Sequence, residues 1–291
     1  MIKKLIFVML IQLIASGIAL FGQTTYIRLG LEGRYGINGN SYSVASAHYD
    51  VNIYTDEMSY NEVYNAKTAS FGSAILPEVS FGVKINRYFS AEFGYSHLFG
   101  LPTVFKSEDT WNISESWNTI RWDNSYCFSS NGLHLRGKFS VNNEYSNPYL
   151  GLGFVFGKGK MKNRIEGVGS GGYFEKYTES IEFEEIGKPC FGFQTAVGYD
   201  LKLSKRFTLN FELSYYNMSF WPTEGTRVEW WVRKYDILGM ASLSEREYIY
   251  TDEVAIEYPA DNLKPTYLLP KSYCMNNLSF RFGVLLWLGY F

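Results

Sequence analysis

The chain has 291 residues, with 27 Lys and Arg against 29 Asp and Glu, and a formal net charge of −2. Aromatic residues make up 18% of it beside only 3 Cys, which excludes a disordered chain and a disulfide scaffold. The balanced charge offers no basic block to neutralise phosphates, so no nucleic-acid partner and no cofactor is expected, and the mean hydropathy of −0.16 is that of a soluble chain.

At the start, Lys3 and Lys4 precede a mostly apolar run from Leu5 to Phe21, followed by Gly22-Gln23-Thr24-Thr25. A charged head, a short apolar stretch and a small residue before a polar segment predict a signal peptide over 1–22. A membrane anchor is the alternative, but the run carries Gln12 and Ser16 and falls short of the about 20 residues that a spanning helix needs. No Cys follows it, so no lipid anchor is expected there. The remainder, 23–291, has no apolar run of spanning length, and its patterning has period two.

Eight segments alternate residue by residue. The first sets Ile27, Leu29, Leu31 and Tyr35 against Arg28, Glu32 and Arg34. The second sets Val79, Phe81, Val83 and Ile85 against Glu78, Ser80 and Lys84, and the third Phe89, Ala91, Phe93 and Tyr95 against Ser90 and Glu92. In the fourth, Leu133, Leu135, Phe139 and Val141 oppose His134, Arg136 and Lys138. The fifth sets Leu150, Leu152, Phe154 and Phe156 against Gly151 and Gly153, and the sixth Phe191, Phe193, Thr195, Val197 and Tyr199 against Gln194 and Asp200. The seventh opposes Phe207, Leu209, Phe211, Leu213 and Tyr215 to Thr208, Asn210 and Glu212. The last opposes Phe280, Phe282, Val284, Leu286, Leu288 and Tyr290 to Ser279, Arg281 and Trp287.

The apolar faces carry no charge, whereas the opposite faces carry eleven: Arg28, Glu32, Arg34, Glu78, Lys84, Glu92, Arg136, Lys138, Asp200, Glu212 and Arg281. A soluble sandwich permits this alternation if its apolar faces meet in pairs. Three features point elsewhere. Connections alternate between short ones (86–88, 142–148, 202–206) and long ones (36–77, 99–131, 157–189, 217–277), as they do in barrels with short periplasmic turns and long outer loops. Each segment has about ten residues, the length of a tilted spanning strand. The sequence ends in the last segment on Tyr290-Phe291, an aromatic end of the kind that the barrel-assembly machinery of bacterial outer membranes reads.

On this pattern the chain resembles the small outer-membrane β-barrels of the OmpA/OmpX-like family. The resemblance implies an all-β, transmembrane, antiparallel up-and-down barrel of eight strands over 23–291, with long extracellular loops and β-hairpin extensions. It also implies a bacterial outer-membrane location, extracellular loops, a periplasmic N-terminus for the mature chain, and contact with outer-membrane lipid. It covers topology and not matched motif residues, so no site residue follows from it. The periplasmic peptidoglycan-binding domain of many relatives is not expected.

An eight-stranded interior is filled by side chains, whereas open channels need about sixteen strands. The eleven inward charges, with His134 beside them, are therefore expected to pair as a structural network, and an ion path is the weaker reading. Three histidines are candidate catalytic bases: His48 in the first loop, His134 inward, and His97 on the lipid phase near the outer leaflet, where a lipid-modifying enzyme would place a base. No spacing signature supports any of them, so no catalytic or metal site is expected. Cys127, Cys190 and Cys274 each precede a strand that re-enters from outside, which places them on one side. Strands four and six are second neighbours about 10 Å apart, beyond the about 7 Å a disulfide allows, and one thiol is left over in any pairing.

The glycine run Gly167–Gly172 lacks the Lys-Ser/Thr of a phosphate loop. It reads as a hairpin tip, with Lys158, Lys160, Lys162 and Arg164 facing the glutamates between Glu166 and Glu185. A further hairpin, Val228–Ile237 with Tyr248–Tyr258, is expected to stand above the membrane. A ten-stranded barrel is the alternative, and it would turn Lys234 or Asp252 toward lipid. Six tryptophans fall in the loops: Trp111, Trp117, Trp122, Trp221, Trp230 and Trp231. Aromatics on large surface loops mark a contact surface. The expected function is that of a non-enzymatic surface-binding protein, or accessory subunit of a larger secretion or surface-assembly complex, with a protein partner on the loops or in the membrane. An outer-leaflet lipid-modifying enzyme and a small pore are the alternatives.

Overall fold

The computed structural model describes residues 24–37, 40–52, 57–69, 72–113, 116–141, 145–171, 177–250, 266–268 and 272–288. The expected signal peptide and the terminal Tyr290-Phe291 lie outside the described residues. The strands are, in chain order, β1 (Thr24–Gly36), β2 (Asn40–Asn52), β3 (Glu57–Ala69), β4 (Ala74–Lys84), β5 (Phe89–Gly100), β6 (Thr103–Ile113), β7 (Ser116–Ser140), β8 (Ser146–Ser170) and β9 (Thr178–Gly187). They continue with β10 (Cys190–Lys202), β11 (Phe207–Phe220), β12 (Pro222–Val232), β13 (Tyr235–Asp236), β14 (Glu247–Tyr250), β15 (Thr266–Leu268), β16 (Tyr273–Cys274) and β17 (Asn277–Trp287). Among the described residues no helix is long and apolar enough to cross a membrane.

Eight of these strands carry the alternating segments and pair antiparallel in one series, β1–β4–β5–β7–β8–β10–β11–β17. The series returns to its start, because β17 also pairs with β1 from Tyr26↔Trp287 to Gly36↔Asn277. Register follows from the period of two. A slip of one residue would turn every charge outward and every leucine inward.

The faces are sorted opposite to those of a soluble protein. Leu29, Leu31, Leu150 and Leu152 are 57–61% exposed, whereas Arg28 and Arg281 are 0% exposed. Two inner tyrosines settle over glycines on the neighbouring strand, Tyr26 over Gly82 and Tyr149 over Gly198. At either glycine a Cβ would fall within the ring.

Beyond this ring the described residues of the long connections are mostly strands, paired as the expected hairpin extensions and joined further to one another. The β7 and β8 strands have 25 residues each, about 80 Å at 3.3 Å per residue, and pair continuously from Ser140↔Tyr149 to Thr119↔Ser170. Around them β6 pairs with β7, and β2 pairs antiparallel with β3 and parallel with β6. On the other side β9 pairs with both β8 and β12.

The strand runs further than the expected glycine tip: Gly167 to Ser170 still belong to β8, with Gly167 opposite Glu179, Gly171 (φ 98°) follows its end, and β9 begins at Thr178. The expected pairing of Val228–Ile237 with Tyr248–Tyr258 is not what forms. The chain turns back at Arg233 (φ 56°) and Lys234, so Trp231 faces Asp236, while Tyr248 pairs with Gly225. The edge of β12 on which that hairpin would form is taken by β13 and β14, while β9 holds the other edge. Residues 251–258 of that expected hairpin lie outside the described residues.

Candidate functional site

Inside the ring the side chains form three layers. The middle layer is ionic, because inward positions at mid-strand carry charge. Arg28, Arg34, Arg136, Lys138 and Arg281 are buried with Glu32, Glu78, Glu92, Asp200 and Glu212, five of each sign.

Glu212 is the hub. It accepts from Arg136 Nη1 at 2.7 Å, Arg281 Nη1 at 2.8 Å, Tyr149 Oη at 2.6 Å, Ser214 Oγ at 2.7 Å and Gln194 Nε2 at 3.1 Å. Arg28 bridges Glu78 (2.5 Å) and Glu92 (3.1 Å), and Arg281 bridges Glu32 and Glu78. Lys138 pairs with Asp200 at 3.1 Å, and Arg34 pairs with Glu32 at 2.7 Å. Buried charges without such partners would be prohibitive. The remaining residue of the expected network, Lys84, is half-buried at the end of β4 and lines a cavity at the short-turn end.

Above the ions the inner face turns apolar. Leu76, Leu98, Phe128, Met161, Cys190, Met218, Phe220 and Met275 form one buried cluster. Sequence reasoning missed this layer, although the signal was present. These residues continue the inward phase of the charged segments: Glu78 gives way to Leu76, Ser96 to Leu98, and Tyr216 to Met218 and Phe220.

At this boundary His134 Nε2 lies 2.5 Å from Ser96 Oγ. A serine–histidine pair invites a catalytic reading, but both residues are 2% exposed. They sit between the ionic and apolar layers, and a nucleophile needs access to substrate. His97 is half-buried on the outer face, stacked edge-on to Phe99 at 4.3 Å with Nδ1 2.9 Å from Asn131 Oδ1. The side chain of His48 lies outside the described residues. Among the described residues no group of three His, Cys, Asp or Glu is arranged to hold a metal. Cys127 and Cys190 are free thiols, Cys127 lying within β7 and not before it, and the side chain of Cys274 lies outside the described residues.

The strands beyond the ring are tied by side chains as well as by ladders. Lys160 meets Glu184 at 3.1 Å, and Lys162 meets Glu182 at 2.7 Å and Glu184 at 3.0 Å, all across the β8–β9 hairpin. Burial pushes the Glu184 carboxyl up, but hydrogen bonds from Lys162 and Lys160 outweigh it and hold the group below its ordinary value. Glu185, on the opposite face, is buried and accepts from Tyr250 Oη (2.8 Å) and Tyr273 Oη (2.7 Å), clasping β14 and β16 to β9. Sequence reasoning also missed this clasp, which no local spacing announces.

Among the described residues the loop tryptophans differ in their surroundings. Trp122 donates to Asp109 at 2.7 Å, and Trp230 donates to Glu179 at 2.9 Å beneath the Arg227 guanidinium, 3.9 Å from its ring centre. Trp221 and Trp231 are exposed, and so are Tyr235 and Met240 near the β12–β13 turn. The side chains of Trp111 and Trp117 lie outside the described residues.

No family model matches the chain, and no curated protein matches it. Among solved structures, the outer membrane protein OprG from Pseudomonas aeruginosa superposes with a TM-score of 0.41 at 9% identity, over 91% of this chain and 95% of that one. Ail, the attachment invasion locus protein of Yersinia pestis, superposes with a TM-score of 0.33 at 9% identity, over 91% and 98%.

Proposed function

We propose that the protein is an eight-stranded barrel of the bacterial outer membrane, related in type to the OmpA/OmpX-like proteins. On this reading it acts without catalysis, as a surface-binding protein or accessory subunit, through the strands that stand above the ring. The observation that carries the membrane reading is the outward apolar belt around an ionic interior. On β17 the belt runs from Leu278 to Leu288, about 33 Å of strand, which at a tilt of about 40° rises about 25 Å, the height of a lipid-facing band.

The return of the pairing series to β1 supports eight strands, not ten. The strands that a larger barrel would recruit, β12 and β14, pair with each other, and β12 pairs with β9, above that level. The short turns and the mature N-terminus then face the periplasm, and the crown of long strands faces outward. Ionic and apolar layers filling the interior favour a plug over a pore.

A binding role for the crown rests on Trp231, Tyr235 and Met240, which stay exposed at the β12–β13 turn although the strands around them are paired. The buried Ser96–His134 pair supports no enzyme. The test is extraction from native membranes in mild detergent. A stoichiometric partner that is lost from the Trp231→Ser/Tyr235→Ser variant, with lipid A unchanged when the gene is deleted, is the expected outcome. Altered lipid A with no partner would sink the reading in favour of a lipid-modifying enzyme, and a large stable conductance in planar bilayers would replace the plug with a pore.

A further inference from the structure

At the upper edge of the apolar belt, β8 passes on its outer face from Phe154 and Phe156 to Lys158. Higher up, each outward cation of β8 has a carboxylate of its own. Lys160 meets Glu184 at 3.1 Å, Lys162 meets Glu182 at 2.7 Å, and Arg164 meets Glu166 at 2.9 Å. Lys158 is exposed and has no carboxylate at ion-pair distance among the described residues. Its neighbour on β7 is the neutral Asn131, whose side-chain oxygen already accepts from Tyr95 Oη.

The chain on the other side of β8 adds a second such cation. Gly157 lies opposite Cys190 and Lys160 opposite Ile186, so Lys188 falls beside Lys158, in the break between β9 and β10. Alternation there runs from exposed Ile186 through buried Gly187 to exposed Lys188, which turns this lysine outward as well, again with no carboxylate among the described residues. Its backbone N–H donates to Trp221 O at 3.0 Å, and the Trp221 ring stands exposed between buried Phe220 and Pro222. Directly below, Phe191 packs against Phe154 and Phe156, at 5.7 and 4.9 Å between ring centres. Two ammonium groups on neighbouring strands repel each other and suit a tetrahedral anion with several acceptor oxygens. A free anion would leave the aromatic wall beneath them unused, whereas a lipid presents anion and hydrocarbon together. The Trp221 indole, flat and apolar with one polar tip, is the side chain that membrane interfaces favour.

We propose that this row docks a phosphorylated glycolipid of the outer leaflet, its phosphate bridging Lys158 and Lys188, its sugar beside Trp221 and its acyl chains against Phe154, Phe156 and Phe191. The site rests on the outer-membrane reading given above, which places this edge of the belt at the outer leaflet, where such a lipid is the main component. The bound phosphate relieves the repulsion between the two lysines and ties the β9–β10 break to β8.

The test uses the full chain folded in maltoside micelles and titrated with lipid A, with lipid A stripped of its phosphates, or with phosphatidylglycerol, bound lipid being counted by native mass spectrometry. Wild type is expected to bind lipid A in preference to the other two. Lys158→Gln/Lys188→Gln is expected to weaken that binding about tenfold or more, the loss of charge-assisted hydrogen bonds. Lys158→Arg/Lys188→Arg, which keeps both charges, should restore most of it. Arg87→Gln/Lys205→Gln removes the same charge at exposed positions of the short-turn end and should leave it unchanged. Equal binding of the stripped lipid, preference for phosphatidylglycerol, or a glutamine variant that binds like wild type overturns the proposal. So does an equal loss in the short-turn variant, which would reduce the effect to bulk charge. A gel shift between heated and unheated samples shows that the barrel is folded. Without that shift the membrane reading fails and takes the site with it; with the shift and no lipid A bound, the site alone fails.

Discussion

The lower and upper halves of β8 have the same phase and opposite polarity. From Leu150 to Phe156 the outward positions are Leu150, Leu152, Phe154 and Phe156, and the inward face opposes Arg136 and its ions. From Lys158 to Arg164 the outward positions are Lys158, Lys160, Lys162 and Arg164, and the inward positions between them are Gly159, Met161 and Asn163, with Met161 fully buried. On the membrane reading proposed above, one strand with one alternation serves two solvents. Where the outside is hydrocarbon, the polar groups go inside and must satisfy one another. Where the outside is water, the usual arrangement returns. The change falls within two residues, at the row His97–Asn131–Lys158 across β5, β7 and β8.

The most severe way to break this arrangement is to unbalance the lower interior. Glu212→Ala leaves Arg136 and Arg281 without their shared carboxylate, and losing one partner of a buried ionic cluster costs about 3–5 kcal/mol. Glu212→Gln, which keeps the shape and one acceptor, is expected to lose less. Denaturant unfolding of the chain in micelles should rank wild type, Gln and Ala in that order. Equal stability of all three would mean that the interior is hydrated and not a plug. The upper interior should answer differently to the same operation, because Met161 sits among apolar neighbours and carries no ionic balance.

The outer surface offers the next largest effect and locates the boundary. Leu152→Arg places a cation in the middle of the apolar belt, which costs about 2–4 kcal/mol in a bilayer and falls toward zero near the interface. Lys158→Leu, three outward positions along the same strand, should change stability by only a few tenths of a kcal/mol. Reversible unfolding in lipid vesicles measures both. Similar costs for the two substitutions would place the boundary elsewhere on β8.

How much of this was legible beforehand differs between the halves for the same physical reason. In the lower half each strand pairs with neighbours in chain order, or with the chain's other end, and one face must be apolar. Period two alone therefore assigns Arg28, Glu78, Arg136, Glu212 and Arg281 to one side and the leucines to the other. Lys84 departs only because it stands at a strand end, where inside meets mouth. In the upper half the pairing of β9 with β12 and the parallel pairing of β2 with β6 join segments that no turn connects. Their choice of partner depends on shape and not on periodicity, and the expected Val228–Ile237 hairpin gave way to the tight turn at Arg233 that folds β13 back on β12. The Glu185 clasp is unreadable for the same reason: Tyr250 and Tyr273 reach it from 65 and 88 residues away.

The smallest effect separates the halves by pH. The carboxylates of the lower half are enclosed, whereas Glu184 meets Lys160 and Lys162 on a surface open to water. The Glu184 carboxyl is held below its ordinary value of about 4.3. Its contribution to the β8–β9 hairpin is therefore complete above that pH and is lost as pH falls through the depressed value, when the folded form must take up a proton. Exposed pairs of this kind are worth about 0.2–1 kcal/mol, less in high salt. Amide exchange of Lys160 to Arg164, followed from neutral pH to below the carboxylate range and corrected for intrinsic rates, should show protection falling at the acid end. Glu184→Gln should start lower and show little of that pH dependence or of its sensitivity to salt, because its charge is already gone. If wild type and variant trace the same curve, the ions on the outside of the upper strands do not hold the hairpin, and its stability rests on the ladder and on Met161 beneath.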